Sequence, residues 1–279
     1  MTPPTRQLPW TLADIDFAAV EVAQVRDDAT LFLLVCGASF VESASHTYAC
    51  NLVERFAADA EVADWLRAHW EPEELQHGRA LEAYVRRVWP EFDWDGAYAG
   101  FLAEYARLCT PDDLEPTRGQ EMAARCIVEM GTTTYYQALH AACAEPVLRA
   151  LAWRIRGDEV RHYKHFHAFF LKYRRRDRLG RRHVLAALVR RAFDLRREDT
   201  TIALRHAAAW REGAAFAPTS AGVPATADDL TRQAYRRVRS HLPMELAVRM
   251  AIQPLQLGSG LRRWMVRPLA ALGAGLLRD

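Results

Sequence analysis

Apolar residues recur at spacings of three and four through two long stretches, 26–88 and 117–179, in which Ala, Leu, Glu and Arg dominate and Gly and Pro are nearly absent. Each stretch reads as a helical hairpin. In the first, Leu31 to Phe56 forms one helix, Asp59 caps the next, and that second helix runs to Val88, where Trp89-Pro90 stops it. In the second, Arg118 to about Cys143 is a helix, residues 144–146 (AEP) are the turn, and Val147 to Tyr173 returns. Residues 90–116, rich in Pro, Asp and aromatics, form the crossover with a short helix at Gly96 to Leu108. Beyond the break RRRDRLGRR the pattern predicts a basic helix at about His183 to Arg211, a loop GAAFAPTSAGVPATADD and a helix from Leu230 to His241. The tail from Leu242 is apolar with scattered Arg, broken by Pro243, Pro254, Gly258 and Pro268.

Composition adds limits to this all-α picture. A chain of 279 residues that is 50% hydrophobic can bury a full core. The expected organisation is a helical bundle over residues 1–179 and a basic, helical C-terminal extension over 180–279, packed on the bundle, a membrane or a partner. The opening MTPPTRQLPW lacks a basic start followed by an apolar run, and no window of about 18 residues is free of charge and apolar throughout, so a cytoplasmic location is expected. Five cysteines (Cys36, Cys50, Cys109, Cys126, Cys143), an odd number with no Cys-x-x-Cys pair, argue against a disulfide framework or a zinc knuckle. The net charge of +2 is unevenly spread: Lys172 to Arg211 holds 13 Lys/Arg against 4 Asp/Glu, a local +9. An acidic carrier protein and an anionic membrane surface are both candidate partners for it; nucleic acid is not, because no binding module accompanies the charge.

The candidate chemistry lies in Glu-x-x-His pairs. One, Glu74–His77, sits in WEPEELQH; the other, Glu159–His162, sits in RGDEVRH. With 18 Glu and 10 His in the chain, roughly 0.6 such pairs are expected by chance, so position has to decide. Folding each hairpin at its tip brings residues equidistant from the tip to one height. Glu42 lies about as far before the first tip as Glu74–His77 lies beyond it, and Glu129 stands in the same relation to Glu159–His162. A carboxylate such as Glu129, flanked by Ile127, Val128 and Met130, is costly to bury ionised without a cation. One Glu from each of two helices and a Glu-x-x-His from each of the others is the donor set of di-metal carboxylate bundles, and four carboxylates with two imidazoles suit iron or manganese better than structural zinc or calcium.

The motifs that carry these residues resemble those of the ferritin-like superfamily, most closely the soluble acyl carrier protein desaturases: VESASHTYACNL (41–52), WEPEELQHG (70–78), EMGTTTYYQA (129–138) and RGDEVRH (156–162). The resemblance covers roughly residues 30–170. It implies a ferritin-like four-helix bundle with a long crossover and additional C-terminal helices. It also implies Glu42, Glu74, His77, Glu129, Glu159 and His162 as metal ligands, Thr132 beside the oxygen site, Asp158 orienting His77, and Trp70 four residues before a ligand Glu. His46 departs from the family, which tends to have Pro there. Arylamine N-oxygenases carry a further His where this chain has Ile155, and ribonucleotide reductase small subunits an Asp and a radical Tyr where it has Glu42 and Leu81.

The expected function is that of an O2-dependent non-haem oxidase, a desaturase or hydroxylase acting on a fatty acyl or similarly lipophilic substrate. Its cofactor would be two Fe ions, or a Mn/Fe pair, and an external ferredoxin-like donor would feed it electrons. Acyl carrier protein is the expected carrier, a peripheral contact with the inner face of the membrane through the tail is a further expectation, and a homodimer is compatible with the sequence. The alternative is a ferritin-like iron-binding or oxidative-stress protein without an organic substrate. Gly37 and Gly131, with Ala38 and Ala44, are expected to leave room between helices for an elongated ligand.

Overall fold

A computed structural model describes residues 8–194, 199–213 and 226–276, and every regular element among them is helical. Short 3-10 turns at Leu12–Asp14 and Phe17–Ala19 and a single α-turn, α1 (Val22–Val25), lead into α2 (Ala29–Ser43) and α3 (Ser45–Arg55). Then come α4 (Ala60–Trp65), a π-turn (Leu66–Trp70), α5 (Glu71–Val88) and the crossover helix α6 (Trp94–Leu108). The second hairpin is α7 (Arg118–Ala142) and α8 (Pro146–Arg176). After it come α9 (Arg181–Asp194), α10 (Asp199–Gly213), α11 (Ala227–Arg239), α12 (Met244–Ile252) and α13 (Ser259–Leu276). The all-α class, the two hairpins, the crossover and the extra C-terminal helices follow the pattern of the sequence.

The differences have local causes. The helix read as continuous from Leu31 to Phe56 breaks at Ala44, whose N–H is shared between the carbonyls of Phe40 (3.0 Å) and Val41 (3.2 Å). The next helix, also read as unbroken, widens into a π-turn just before Pro72. A proline has no N–H for the carbonyl four residues back and its ring crowds that group, and a π-turn absorbs both defects without ending the helix. Asp59 does occupy the N-cap position of α4, but its side chain makes no capping bond. The basic helix is two helices, α9 and α10. The tail is far more helical than its prolines suggest: Pro268 lies inside α13. Most of the loop at 213–229 lies outside the described residues.

Contacts divide the described chain into two compact units. The first is drawn from Met1–Asp113, Glu145–Leu151 and Glu198–Ala234. Its centre is α2, apolar on all sides, as a fully surrounded helix must be. Helices α5, α6 and α10 pack around it. Gly37 is not an opening for a ligand: a Cβ there would meet Leu204 Cδ2 of α10 at 3.1 Å, so the missing side chain serves close helix packing. Length and composition would let Ala29–Arg55 cross a membrane, yet most of it is buried in this unit and it carries Glu42. The turn before α8 holds Glu145, fully buried. Its carboxylate accepts from the N–H groups of Leu148 (2.8 Å) and Val147 (3.1 Å) and from the Tyr84 hydroxyl (3.1 Å), which accounts for its burial.

The second unit is drawn from Leu114–Ala144, Ala152–Arg197 and Tyr235–Asp279. In it α9 and α12 pack on α7, and α13 packs on α12. Much of the basic charge is used internally: Arg190 binds Glu115, Arg191 faces the buried Glu121 at 3.9 Å, and Arg174 and Arg181 donate to the carbonyls of Pro254 and Leu255. None of the five cysteines is in a disulfide; Cys36, Cys126 and Cys143 are buried, Cys109 is half-buried and Cys50 is exposed.

Candidate metal centre

In the first unit, Glu42 occupies the last turn of α2, and Glu74 and His77 lie on α5 just after the π-turn that Pro72 imposes. All three are buried. Their backbones are brought together by one glycine: a Cβ on Gly78 would lie 2.4 Å from Ser43 Oγ, 2.7 Å from Ser43 N and 2.8 Å from Ser43 Cα. Only a residue without a side chain lets α5 come this close to the end of α2. Since Gly78 follows His77 and Ser43 follows Glu42, this approach sets the ligand pair directly, with His77 Nδ1 3.6 Å from Glu42 Oε2. The ring of Trp10 stacks on that of His77, with centroids 6.0 Å apart and planes 9° apart. Trp70 closes the π-turn, buried, one turn before Glu74.

In the second unit, Glu129 on α7 and Glu159 and His162 on α8 are buried as deeply. His162 Nδ1 stands 3.6 Å from Glu129 Oε2 and 3.9 Å from Glu159 Oε2. One turn before Glu129, the buried Arg125 guanidinium donates to Glu129 Oε1 at 2.9 Å and lies over the Phe166 ring. Burial alone would push the Glu129 carboxyl up. The His162 imidazole and the Arg125 guanidinium outweigh it and hold the group below the usual carboxylate range. The Thr132 hydroxyl donates to Glu159 Oε2 at 2.6 Å, with the Glu129 carbonyl at 3.2 Å as an alternative acceptor. Its single proton therefore steadies a ligand carboxylate. Asp158 is buried, its carboxylate bound by Arg161.

Each unit gathers one group of ligand atoms. In the first, Glu42, Glu74 and His77 each offer one atom within 4.8 Å of the others, and in the second Glu129, Glu159 and His162 do the same. The donors fit a pair of divalent cations in three ways. The imidazole–carboxylate distances of 3.6 Å exceed a hydrogen bond, yet two donors each about 2.1 Å from one ion can be up to about 4.2 Å apart. Glu129 Oε2 is buried without a hydrogen bond. Four buried carboxylates balance the charge of two divalent ions, and their mixture with imidazole suits iron or manganese.

No protein-family model and no curated protein matches the sequence. Among solved structures, a variant of an R2-like ligand-binding oxidase with an aerobically reconstituted Mn/Fe cofactor superposes with a TM-score of 0.52 at 16% identity, over 92% of this chain and 88% of its own. A second variant of such an oxidase, again with an aerobically reconstituted Mn/Fe cofactor, gives a TM-score of 0.51 at 15% identity with the same coverage. The fold is ferritin-like. The acyl carrier protein desaturase resemblance rests on the sequence motifs alone.

Three contributors were not legible as such in the sequence. Arg125, one turn from Glu129, is a spacing signal that i, i+4 pairing could have supplied. Gly78 stands inside the WEPEELQHG motif, but its contact with Ser43 needs the packed pair of helices. Trp10 lies more than sixty residues from His77, and no local pattern links them.

Proposed function

We propose that this chain is an O2-dependent, non-haem di-metal oxidase acting on a lipophilic, fatty acyl-like substrate as a desaturase or hydroxylase. The observation that carries the reading is that each unit buries a Glu-x-x-His pair against a further carboxylate, Glu42 in the first and Glu129 in the second. The similarity of the fold to R2-like oxidases and the desaturase-like motifs support it. When bound, two iron ions, or a Mn/Fe pair, would supply O2 activation, with electrons from an external ferredoxin-like donor.

The chain's own residues have assignable parts. Glu42 with His77 and Glu129 with His162 would hold one metal each, and Glu74 and Glu159 would supply the remaining carboxylates. Arg125 holds one oxygen of Glu129 and leaves Oε2 for the metal. Thr132 holds a proton against Glu159 Oε2 and can return it to the site when that carboxylate shifts. Asp158, fixed by Arg161, is assigned the orienting role towards His77 that the motif resemblance implies, and Trp70 a place in the path of electrons to the site. Burial of all six ligands excludes water, which protects a reactive centre from side reactions.

The test is metal content by mass spectrometry on protein from iron-supplemented cells, beside a Glu129→Ala, Glu159→Ala double variant. About two iron or manganese per chain in the parent, lost in the variant, is expected. O2 consumption on adding reductant and acyl substrates then follows the chemistry. Folded protein that takes up no ferrous iron anaerobically would sink the reading. A cage-like oligomer that mineralises many irons per chain would replace it with iron storage.

A further inference from the structure

Helix α13 has two apolar faces, and folding uses only one. Val266 and Ala270 are buried, and Gly273 meets α12 so closely that a Cβ there would stand 2.8 Å from Met244 Cε. On the opposite side Leu261, Trp264, Pro268 and Leu272, at i, i+3, i+7 and i+11, form a continuous exposed stripe; Trp264 is 72% exposed, Leu272 61% and Leu261 51%. An exposed Trp at the centre of such a stripe marks a surface meant to be covered.

The charges indicate by what. Arg262, Arg263 and Arg267 flank the stripe, all exposed, and α13 contains no acidic residue. The carboxylate of Glu245 on α12 faces Arg267 at 3.9 Å and already binds Arg249 at 3.0 Å. Over residues 242–276 four Arg stand against that single Glu, a net of +3. A second exposed stripe, Leu185, Val189 and Phe193 on α9, lacks this character, because its flanking Arg190 and Arg191 are paired with Glu115 and Glu121.

We propose that α13 docks the protein on an anionic phospholipid surface, lying in the plane of the interface. Trp264, Leu261 and Leu272 enter the acyl boundary while Arg262, Arg263 and Arg267 reach back to the phosphates. This goes beyond the oxidase reading and stands on a surface separate from the metal ligands, so either can fail alone.

The test is co-sedimentation of the full chain with vesicles of phosphatidylcholine containing about 30% phosphatidylglycerol, and with pure phosphatidylcholine vesicles. Binding at least about tenfold tighter to the anionic vesicles is expected, weakening as salt rises. The Arg262→Ala, Arg263→Ala, Arg267→Ala triple variant should lose that preference. Trp264→Ala should weaken binding about tenfold, whereas Phe193→Ala should leave it unchanged; all should keep the helical circular dichroism of the parent. Equal binding to both vesicles, no binding to either, or loss with Phe193→Ala but not Trp264→Ala would overturn the proposal. So would a dimer in solution that Trp264→Ala dissociates without any lipid binding, since the stripe's occupant would then be a second copy.

Discussion

Two glycines beside predicted ligands carry opposite expectations. At Gly78, Ala would place a Cβ 2.7 Å from the Ser43 nitrogen, 0.7 Å inside the 3.4 Å at which ordinary contact begins, and the atoms it meets include backbone as well as the Ser43 hydroxyl. Backbone cannot rotate away, so α5 and the end of α2 must separate locally by about that amount, at a cost of about 1–3 kcal/mol. The adjacent Glu42 and His77 then move from 3.6 Å to about 4.3 Å apart, past the about 4.2 Å that two donors can span on one ion. Gly157, two residues before Glu159, has nothing within 4 Å of its would-be Cβ. There Ala should stabilise α8 by about 0.5–1 kcal/mol through ordinary helix propensity. Anaerobic ferrous titration followed by metal analysis, with thermal unfolding in parallel, reads both. Gly78→Ala should lose at least one of the two metals and unfold earlier; Gly157→Ala should keep both and unfold later. Wild-type metal affinity in Gly78→Ala would refute the claim that this approach sets the ligand geometry.

Other substitutions separate structural from metal-binding roles. Glu145→Ala removes the α8 cap and the acceptor for Tyr84, costing about 1–3 kcal/mol in thermal or denaturant unfolding while leaving metal stoichiometry intact. Thr132→Val keeps the shape and deletes the hydrogen bond to Glu159; metal affinity or O2 reactivity should fall about 10–100-fold with the fold unchanged by circular dichroism. Tyr163→Phe leaves the Met250 carbonyl without its 2.6 Å hydrogen bond between α8 and α12, and should lower stability by about 1 kcal/mol in urea unfolding. His167, stacked on Tyr163, is pushed by burial below the usual histidine range. The unfolded chain therefore binds a proton more readily than the native one. The stability linked to this group is complete above about pH 6.5 and is lost as pH falls below it, so His167→Gln should flatten the melting temperature against pH between about 7 and 5, and parallel curves would refute it.

Period and spacing alone delivered the two hairpins and, within each, a carboxylate level with a Glu-x-x-His pair, because both follow from helical rise and from the cost of burying carboxylates at Glu42 and Glu129. What stayed hidden depended on contacts between distant residues. Pro72 was visible, but whether it ends a helix or is absorbed in a π-turn depends on the packing of the helix that carries it. Gly37 looked like room for a ligand because nothing in the sequence shows that Leu204 fills it. The ion pairs of the basic run from Lys172 were hidden for the same reason, since partners such as Glu115 and Glu121 lie some seventy residues away in the chain.

Buried acids in this chain fall into two kinds, and the difference supports the metal reading independently of any motif. Glu145 and Glu121 are as deeply buried as the candidate ligands, yet backbone N–H groups donate to the first, while the Glu115 N–H at 2.7 Å and Arg191 meet the second. Glu129 is different: Arg125 binds one oxygen, and the other, Oε2, is buried, has no hydrogen bond and faces His162 at 3.6 Å. A fold that needed only to neutralise Glu129 could do so with a closer donor. It instead holds carboxylate and imidazole at a separation too long for a hydrogen bond and short enough for a shared cation, and a bound divalent ion accounts for that spacing.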